Sequence, residues 1–311
     1  MTSALQESAR AFRDGGFSPS PFRARHLVFA ALLLLSVIPF WATIASLVEL
    51  SLRDARYSHT ALVPLMSAGI VWLESRRIFR TARPSRRLAL ALLLAGLLLH
   101  AGMVWWVTSP AHALAGQVLS LLLVWVGSFA LCYGADSLKA AAFPLGLLVL
   151  AIPIPVKAVE TLSFALQAGS AELSHALFRV LGVPVFRQDY LFSLPGLTIE
   201  VAEECSGIRS STALMISSVL TGYLFLRSGW KRLALVLVTA FAGLLKNAIR
   251  IVFLATMGAY IDEDFLHGAL HHRYGGTVFS LLAVLLIAPA FVALRRSERS
   301  KIPSPERGRE R

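Results

Sequence analysis

Cys205 has the setting of a reactive thiol. It lies in the run Glu203-Glu204-Cys205-Ser206-Gly207, directly before an apolar stretch that predicts a helix. A thiol at a helix N-terminus experiences the positive end of the helix dipole, which favours the nucleophilic thiolate. Arg209 follows one turn later on the same predicted face, whereas the two glutamates oppose ionisation, so a cationic partner is needed. The alternative is that Cys205 is an inert packing cysteine. The apolar surroundings of Cys132, the other cysteine, predict that packing role for its thiol.

Arg250 is a charged residue inside an apolar segment. A charge at the centre of a membrane helix costs about 3 kcal/mol, and by default it marks a functional site that faces the helix bundle. Lys246 and Asn247 precede Arg250 by four and three residues, so all three share one face of the predicted helix. The alternative is a structural arginine that pairs with Glu203 or Glu204 or extends its side chain to the outer membrane surface.

Three histidines stand close together before the last apolar run. His267, His271 and His272 fall within six positions, and histidine is the natural general acid or base near neutral pH. His267 and His271 also have the i,i+4 spacing that can hold a metal. A cysteine nucleophile, a histidine base and an arginine that holds an oxyanion or a carboxylate form a sufficient set for acyl transfer.

The composition shows what kind of protein must position these residues. Of the 311 residues, 56% are hydrophobic and 15% are charged, and mean hydropathy is +0.66, whereas soluble domains carry about 25% charged residues. A disordered chain, a collagen and a disulfide-stapled secreted module are excluded. The net charge of +12 would suit a nucleic-acid-binding domain, but such a domain is not this apolar.

The long apolar runs predict an all-α polytopic membrane protein. A bilayer crossing needs about 20 mostly apolar residues. Eight crossings are predicted, at residues 27–47, 61–73, 88–107, 114–133, 140–152, 208–226, 233–257 and 277–294. The fifth of them ends in Ile-Pro-Ile-Pro, where a helix must stop or kink.

The distribution of charge supports a topology with both termini in the cytoplasm. Lysine and arginine collect in short cytoplasmic loops. Here they precede the first crossing, separate the second from the third and the sixth from the seventh, and follow the fourth and the eighth. We therefore expect a cytoplasmic N-terminal segment at residues 1–26, a transmembrane domain at 27–294 and a disordered basic cytoplasmic tail at 295–311.

One predicted outer loop, at about residues 153–205, is far longer than an ordinary connection. Its first part, 157–181, spaces apolar residues at helical intervals, which predicts an amphipathic helix at the outer surface. Its second part, 183–201, predicts a small hairpin or extended segment. On this topology Cys205, Arg250 and the histidines all lie toward the outer face of the membrane.

Several stretches resemble the exosortase/archaeosortase family. Residues 201–210 (Val-Ala-Glu-Glu-Cys-Ser-Gly-Ile-Arg-Ser) resemble its cysteine motif and 247–251 (Asn-Ala-Ile-Arg-Ile) its arginine motif. His272-Arg273-Tyr274-Gly275-Gly276, followed by Phe279, resembles its histidine motif. Two less specific stretches agree as well, namely Tyr57-Ser58-His59 leading to Leu62-Val63-Pro64, and Phe143-Pro144-Leu145 leading to Ile152-Pro153-Ile154-Pro155.

The resemblance implies a membrane-embedded cysteine transpeptidase of the bacterial plasma membrane, with its active site facing the periplasm and no cofactor or metal. Such enzymes recognise a C-terminal sorting signal, which comprises a short motif such as Pro-Glu-Pro, a transmembrane helix and a basic tail. They cleave near the motif and transfer the protein to another anchor. The implied partners are membrane-anchored substrate proteins and the lipid bilayer, with no nucleic acid. The oligomeric state stays open.

The resemblance also implies roles for individual residues. Cys205 is the nucleophile, His272 the proton shuttle and Arg250 the third essential residue. The doublet His271-His272 permits two alignments, and His272 is preferred because the following Gly-Gly pair then falls in register. Accessory candidates are His271, Arg209, Asn247, Glu203, Glu204 and His59. Arg250, Arg187 or Arg273 would bind a glutamate in the substrate motif.

Two other functions are compatible with parts of the sequence. A polytopic transporter or flippase could bind an anionic substrate through Lys246 and Arg250, but it needs neither the long outer loop nor the cysteine motif. A metal-dependent membrane protease could use His267, His271 and one of the two glutamates. The chain lacks a His-Glu-x-x-His helix, which makes this the weakest alternative.

Overall fold

A computed structural model describes residues 21–80, 82–201, 208–262 and 275–299. The chain divides into two compact units between Pro155 and Val156. Most of the described residues are helical, in agreement with the predicted class. The basic tail beyond residue 299 and the first 20 residues lie outside the described part.

The described part of the first unit contains six helices. They are α1 (Pro21–Arg53), α2 (Val63–Leu73), α3 (Ser75–Ile78), α4 (Arg86–Trp106), α5 (Pro110–Ala140) and α6 (Ala142–Leu147), with 3-10 turns at Ala55–Tyr57 and Leu148–Ala151. Helix α1 is bent by 81° between Arg23–Val37 and Trp41–Arg53. Pro39 lies at the bend. Proline bends a helix because it lacks the N–H donor and its ring collides with the preceding turn.

Helix α5 is the central helix of the first unit and packs against α1 and α4. Its backbone departs from helical geometry at Gly134, where φ is 86°. A side chain at this position would collide with the carbonyl oxygen of Arg83, so the kink requires glycine. Cys132, two residues earlier, is 5% exposed and packs with Ile78, Phe129 and Tyr133. This is the buried environment that the sequence predicts for that thiol.

The second unit is built around one long helix. Its elements are α7 (Val156–Val180), β1 (Phe186–Gln188), β2 (Leu191–Leu194), β3 (Leu197–Glu200), α8 (Ile208–Phe225), α9 (Gly229–Tyr260) and α10 (Gly275–Arg299). The strands form an antiparallel sheet in the order β1-β2-β3. Helix α9 packs against α7, α8 and α10.

The segment predicted as a helix followed by a hairpin contains α7 and the three strands. The β2–β3 turn is Pro195-Gly196, and the φ of Gly196 is +79°, a conformation that glycine adopts without a steric penalty. Pairing then places Phe192 opposite Arg187 on β1 and opposite Ile199 on β3. Phe192 is fully buried against Phe178 of α7. The sheet is therefore fixed to the helix that precedes it.

Four of the described helices are long and apolar enough to cross a membrane, namely α4, α5, α9 and α10. The number rises to six if each of two bent helix pairs forms one crossing; the pairs are the two halves of α1, and Ala142–Ala151 with Val156–Val180. Two shorter apolar helices, Val63–Leu73 and Ser210–Phe225, accompany them. The protein is thus a mainly helical, multi-pass membrane protein, and each of the eight predicted crossings overlaps one of these helical segments.

Candidate active site

Helix α9 carries the predicted arginine in its C-terminal half. Arg250 lies ten residues before the last residue of α9, Tyr260, which is about 15 Å along the axis at 1.5 Å per residue. The residue is partly buried. Its guanidinium forms no hydrogen bond or ion pair with the residues that the structure describes. Arg250 is therefore a cation on a helix that is long and apolar enough to cross a membrane, and none of the described residues accepts a hydrogen bond from it.

Lys246, one turn before Arg250, joins α9 to α8. Its side chain is almost fully buried, with 3% of its surface exposed. Its ammonium Nζ donates a hydrogen bond to the hydroxyl Oγ of Ser210 across 2.5 Å. Ser210 stands in the first turn of α8, five residues after Cys205 in the chain. The buried lysine thus contacts the helix that follows the cysteine motif.

Asn247, the next residue, joins α9 to α7. It is 1% exposed, and its Nδ2 donates to Oγ of Ser170 across 3.0 Å. The two helices approach closely here, because Gly169 leaves room for the side chain of Leu244. Small residues at a crossing let helix backbones approach within the membrane. Asn247 is thus held in a buried polar contact at this crossing.

An apolar cluster contains both Val201 and the two residues that follow Arg250. Val201, four residues ahead of the cysteine, is 1% exposed and belongs to the same cluster as Ile251 and Val252 of α9. Phe178 of α7 and Phe192 of β2 complete its centre. The described residue nearest to Cys205 on its N-terminal side therefore packs against the neighbours of Arg250.

A residue that follows the histidine motif, Phe279, also contacts α9. Phe279, seven residues after His272, is 6% exposed and lies on α10. Its ring meets that of Phe253, with centroids 6.3 Å apart and planes inclined by 64°. Phe253 follows Arg250 by three residues. The two end residues of the cysteine motif, and Phe279 after the histidine motif, thus contact α9 between Lys246 and Phe253.

Several predicted site residues lie outside the described part of the chain. They are Cys205, Glu203, Glu204, His267, His271, His272 and Arg273. Arg209 lies in α8, but its side chain is also not described. The predicted roles of all these residues stay predictions, as does the metal-binding alternative based on His267, His271 and the glutamates. Within the described ranges, no group of three or more His, Cys, Asp or Glu side chains could hold a metal ion.

Arg187, one of the cations predicted to bind a substrate carboxylate, already has protein partners. Its Nη2 lies 2.8 Å from Oε1 of Glu172 on α7, and its Nε donates to the carbonyl oxygen of Asp189 at 2.8 Å. The guanidinium also stacks over the ring of Phe192. Arg187 therefore fastens the sheet to α7, whereas Arg250 has no such partner among the described residues.

His59, the accessory candidate of the first unit, lies in the turn before α2. Burial lowers the pKa of His59, and hydrogen bonds with the backbone of Arg56 and Leu150 oppose this shift. Nearby, the hydroxyl of Tyr57 donates to the carbonyl oxygen of Ile154 at 2.9 Å. The two less specific motif stretches therefore contact each other within the first unit.

A separate cavity lies in the other half of α9. It has a volume of about 220 Å³ and is lined by residues of α8, α9 and α10. Its lining is apolar apart from serine and threonine hydroxyls such as those of Ser217, Thr221 and Thr239. Thr239 precedes Arg250 by eleven residues. Because no ionisable residue lines this cavity, its chemistry does not suit acyl transfer.

Sequence reasoning missed three residues of the polar junction, the hydrogen-bonded contacts that Lys246, Asn247 and Val201 make with neighbouring elements. The missed residues are Gln167, Ser170 and Ser210. Gln167 and Ser170 lie on α7, where Gln167 donates from Nε2 to the carbonyl oxygen of Val201 at 2.6 Å. Helical periodicity indicates which face such residues occupy, but it does not indicate their partners. A polar residue on the packed side of an amphipathic helix was the available signal.

The long apolar helices define a multi-pass membrane protein. Its candidate site lies around the buried polar contacts of Lys246 and Asn247 on α9. A family model described as transmembrane exosortase matches residues 50–288, more than three quarters of the chain. The chain therefore belongs to the transmembrane exosortase family, whose members are cysteine transpeptidases that process sorting signals in the membrane. No curated protein and no solved structure matches the chain.

Proposed function

We propose that this protein is an outward-facing cysteine transpeptidase that cleaves C-terminal sorting signals. Its substrates carry a short motif such as Pro-Glu-Pro, a transmembrane helix and a basic tail. The observation that carries this proposal is the role of α9, which bears Arg250 and contacts residues next to both other motifs. Lys246 bonds to Ser210, the last residue of the cysteine motif, and Phe253 packs on Phe279, which follows the histidine motif.

The first half of the proposed reaction forms a thioester. His272 takes the thiol proton of Cys205, and the thiolate attacks the carbonyl carbon of the scissile peptide. The carbonyl electron pair moves to oxygen, and Arg250 donates hydrogen bonds to this oxyanion. When the C–N bond breaks, His272 gives its proton to the leaving amine, which departs with the transmembrane helix of the signal.

The second half transfers the protein to an anchor. An amine or hydroxyl of the acceptor loses its proton to His272 and attacks the thioester carbonyl. The C–S bond then breaks, the sulfur electrons return to Cys205, and the product carries a new amide or ester. Water in place of the acceptor gives hydrolysis.

Arg250 suits the anion-binding role because a charge at its position is costly and no residue that the structure describes accepts a hydrogen bond from its guanidinium. The cost of a charge inside the membrane is about 3 kcal/mol, and no described residue offsets it by pairing with this guanidinium. An anion that develops only during the reaction is therefore a suitable partner. Lys246, in contrast, is buried and bonded to Ser210, so a transporter that used it for substrate binding would first have to break this contact.

We also propose that residues 27–294 cross a bacterial plasma membrane eight times. Both termini then lie in the cytoplasm. Contacts between segments predicted to share a side support this topology. In the first unit, Nη1 of Arg25 donates to the carbonyl oxygen of Ala82 at 2.8 Å. In the second, Nζ of Lys231 donates to Oγ of Ser297 at 2.6 Å. Arg25 and Ser297 belong to the predicted cytoplasmic segments 1–26 and 295–311, and Ala82 and Lys231 belong to predicted cytoplasmic loops.

Co-expression with candidate substrates tests the function. The full chain is produced with a protein that carries a sorting signal, and the products are weighed by mass spectrometry. We expect a product that ends near the motif and carries the mass of an acceptor. Cys205→Ala should abolish this product, whereas Cys132→Ala, at a buried packing position, should preserve it. Full processing by the Cys205→Ala variant would overturn the proposal.

A further inference from the structure

Residues 202–207, which contain Cys205, are here called the Cys205 segment. The described residues Val201 and Ser210, before and after this segment, each accept a hydrogen bond from the side chain of a neighbouring helix. On the N-terminal side, Nε2 of Gln167 donates to the carbonyl oxygen of Val201 across 2.6 Å. On the C-terminal side, Nζ of Lys246 donates to Oγ of Ser210 across 2.5 Å. The two donors come from α7 and α9. The described residues that flank the nucleophile are thus tied to two separate helices.

The N-terminal attachment leaves little freedom to Val201. Its backbone N–H donates to the carbonyl oxygen of Tyr190 at 3.0 Å, while its carbonyl oxygen accepts from Gln167. Its side chain is buried in the cluster with Ile251. Val201 therefore has its N–H, its carbonyl oxygen and its side chain in contact with other residues. Of these three contacts, the one with Gln167 is made by a polar side chain.

On the C-terminal side, a buried charge at Lys246 is unfavourable and is not needed if the residue serves packing alone. A charged lysine inside a membrane helix is unfavourable, and a methionine of similar length would fill the same volume without a charge. The lysine instead donates a charge-assisted hydrogen bond, which is roughly twice as strong as a neutral one. It lies one turn from Arg250, so the same turn of α9 holds both the proposed oxyanion donor and this attachment.

We propose that Gln167 and Lys246 are positioning residues for the transpeptidase reaction. They hold the two sides of the Cys205 segment against α7 and α9, and thereby set the distance between the nucleophile and Arg250. This inference rests on the proposed function. It predicts that loss of either donor reduces the rate of the chemical step more than it reduces substrate binding, because a displacement of about 1 Å can cost a hundredfold in rate.

The test compares variants of the purified full chain in detergent, with a fluorescent peptide that carries a sorting signal in the same micelles. Lys246→Met and Gln167→Leu remove the donors at nearly constant volume. We expect kcat per folded molecule to fall by about 10- to 100-fold, with KM unchanged. Lys246→Arg, which keeps a cationic donor, should restore part of the rate.

Matched controls separate positioning from stability. Lys231 is also buried on α9 and also donates to a serine hydroxyl, that of Ser297, but it lies nineteen residues from Arg250. Gln117, in the first unit, accepts a hydrogen bond from Thr43 at 3.0 Å. Lys231→Met and Gln117→Leu should lower the unfolding temperature and leave kcat per folded molecule at the wild-type value.

A second variant tests the same bond from the other side. Ser210→Ala removes the acceptor of Lys246 and should reduce kcat to a similar extent. In the double variant the two losses should not add, because both substitutions remove one interaction. Wild-type kcat in Ser210→Ala and Gln167→Leu, together with an inactive Cys205→Ala, would overturn the positioning role and leave the proposed function intact. Processing by Cys205→Ala would overturn the function itself.

Discussion

The ammonium group of Lys246 lies 2.5 Å from the hydroxyl of Ser210, although the two residues are 36 positions apart. This contact joins the helix that carries Arg250 to the helix that begins three residues after Cys205. The adjacent Asn247 bonds to Ser170 of α7. One face of α9 is therefore shared by the arginine and by the contacts that hold two of its neighbouring helices, α7 and α8.

Arg250 provides the sharpest test of oxyanion stabilisation. Arg250→Ala should reduce kcat by about 100- to 1,000-fold, the usual effect of removing one oxyanion donor. Arg250→Lys should restore only part of the rate, because lysine lacks the planar, forked donor geometry of arginine. The measurement is steady-state cleavage of a peptide with a Pro-Glu-Pro motif.

A second peptide separates the two anions that Arg250 could bind. If the guanidinium holds the oxyanion, the loss in Arg250→Ala is the same for a Pro-Gln-Pro peptide as for the Pro-Glu-Pro peptide. If the loss disappears with the glutamine peptide, the arginine instead binds the substrate glutamate, and its assignment to the oxyanion is wrong.

The histidine doublet has two testable alignments. We expect His272→Ala to abolish processing and His271→Ala to retain it, because His272 places the glycine pair in the register of the family motif. The two variants are compared at equal amounts of folded protein, with gel-shift detection of the cleaved substrate. The reverse pattern would assign the proton shuttle to His271.

The two cysteines should differ in reactivity and in sidedness. Cys205 is predicted at the outer face, so a membrane-impermeant maleimide added to spheroplasts should label it and stop processing. Cys132 is 5% exposed within the first unit, so it should react only after unfolding. Labelling is read by mass spectrometry of the peptides. Labelling of Cys205 only from the cytoplasmic side would contradict the proposed orientation.

The sequence predicted the helical segments well because apolar runs identify helices directly. The break at Ile-Pro-Ile-Pro is an example: the 3-10 turn ends at Ala151 and α7 begins at Val156. The bend of α1 was not predicted, although Pro39 is its local cause, since the size of a bend depends on the packing of both halves. Periodicity placed Lys246, Asn247 and Arg250 on one face of α9.

The partners of these residues could not be predicted from periodicity. Ser210 and Ser170 become neighbours of α9 only through the packing of three helices, which no local pattern encodes. Similarly, nothing in the neighbourhood of Val201 indicates that its carbonyl oxygen accepts from Gln167. Long-range polar pairs of this kind depend on tertiary structure, whereas the motif residues themselves could be recognised from the sequence.

His59 predicts a pH dependence of stability. Burial lowers its pKa in the folded protein from an ordinary value of about 6.5, so the unfolded chain binds more protons between the two values. The associated stability is present above about pH 6.5 and is lost as the pH falls through the lowered folded-state pKa. Thermal unfolding in detergent should therefore show a falling Tm from pH 7 to pH 5.

Replacement of the histidine identifies the responsible group. His59→Gln should reduce this fall in Tm, whereas His112→Gln, at an exposed position, should keep the wild-type dependence. An unchanged fall in the His59→Gln variant would show that another group controls the acid sensitivity.

The most direct test of the central claim is detection of the acyl-enzyme. The purified full chain is mixed with a sorting-signal peptide, quenched in acid and weighed intact, and the modified peptide is then sequenced by mass spectrometry. We expect an adduct on Cys205 with the mass of the substrate without its C-terminal signal, and its release by hydroxylamine as expected for a thioester. Substrate cleavage that proceeds with the adduct on a different residue, or at an undiminished rate in the Cys205→Ala variant, would contradict it.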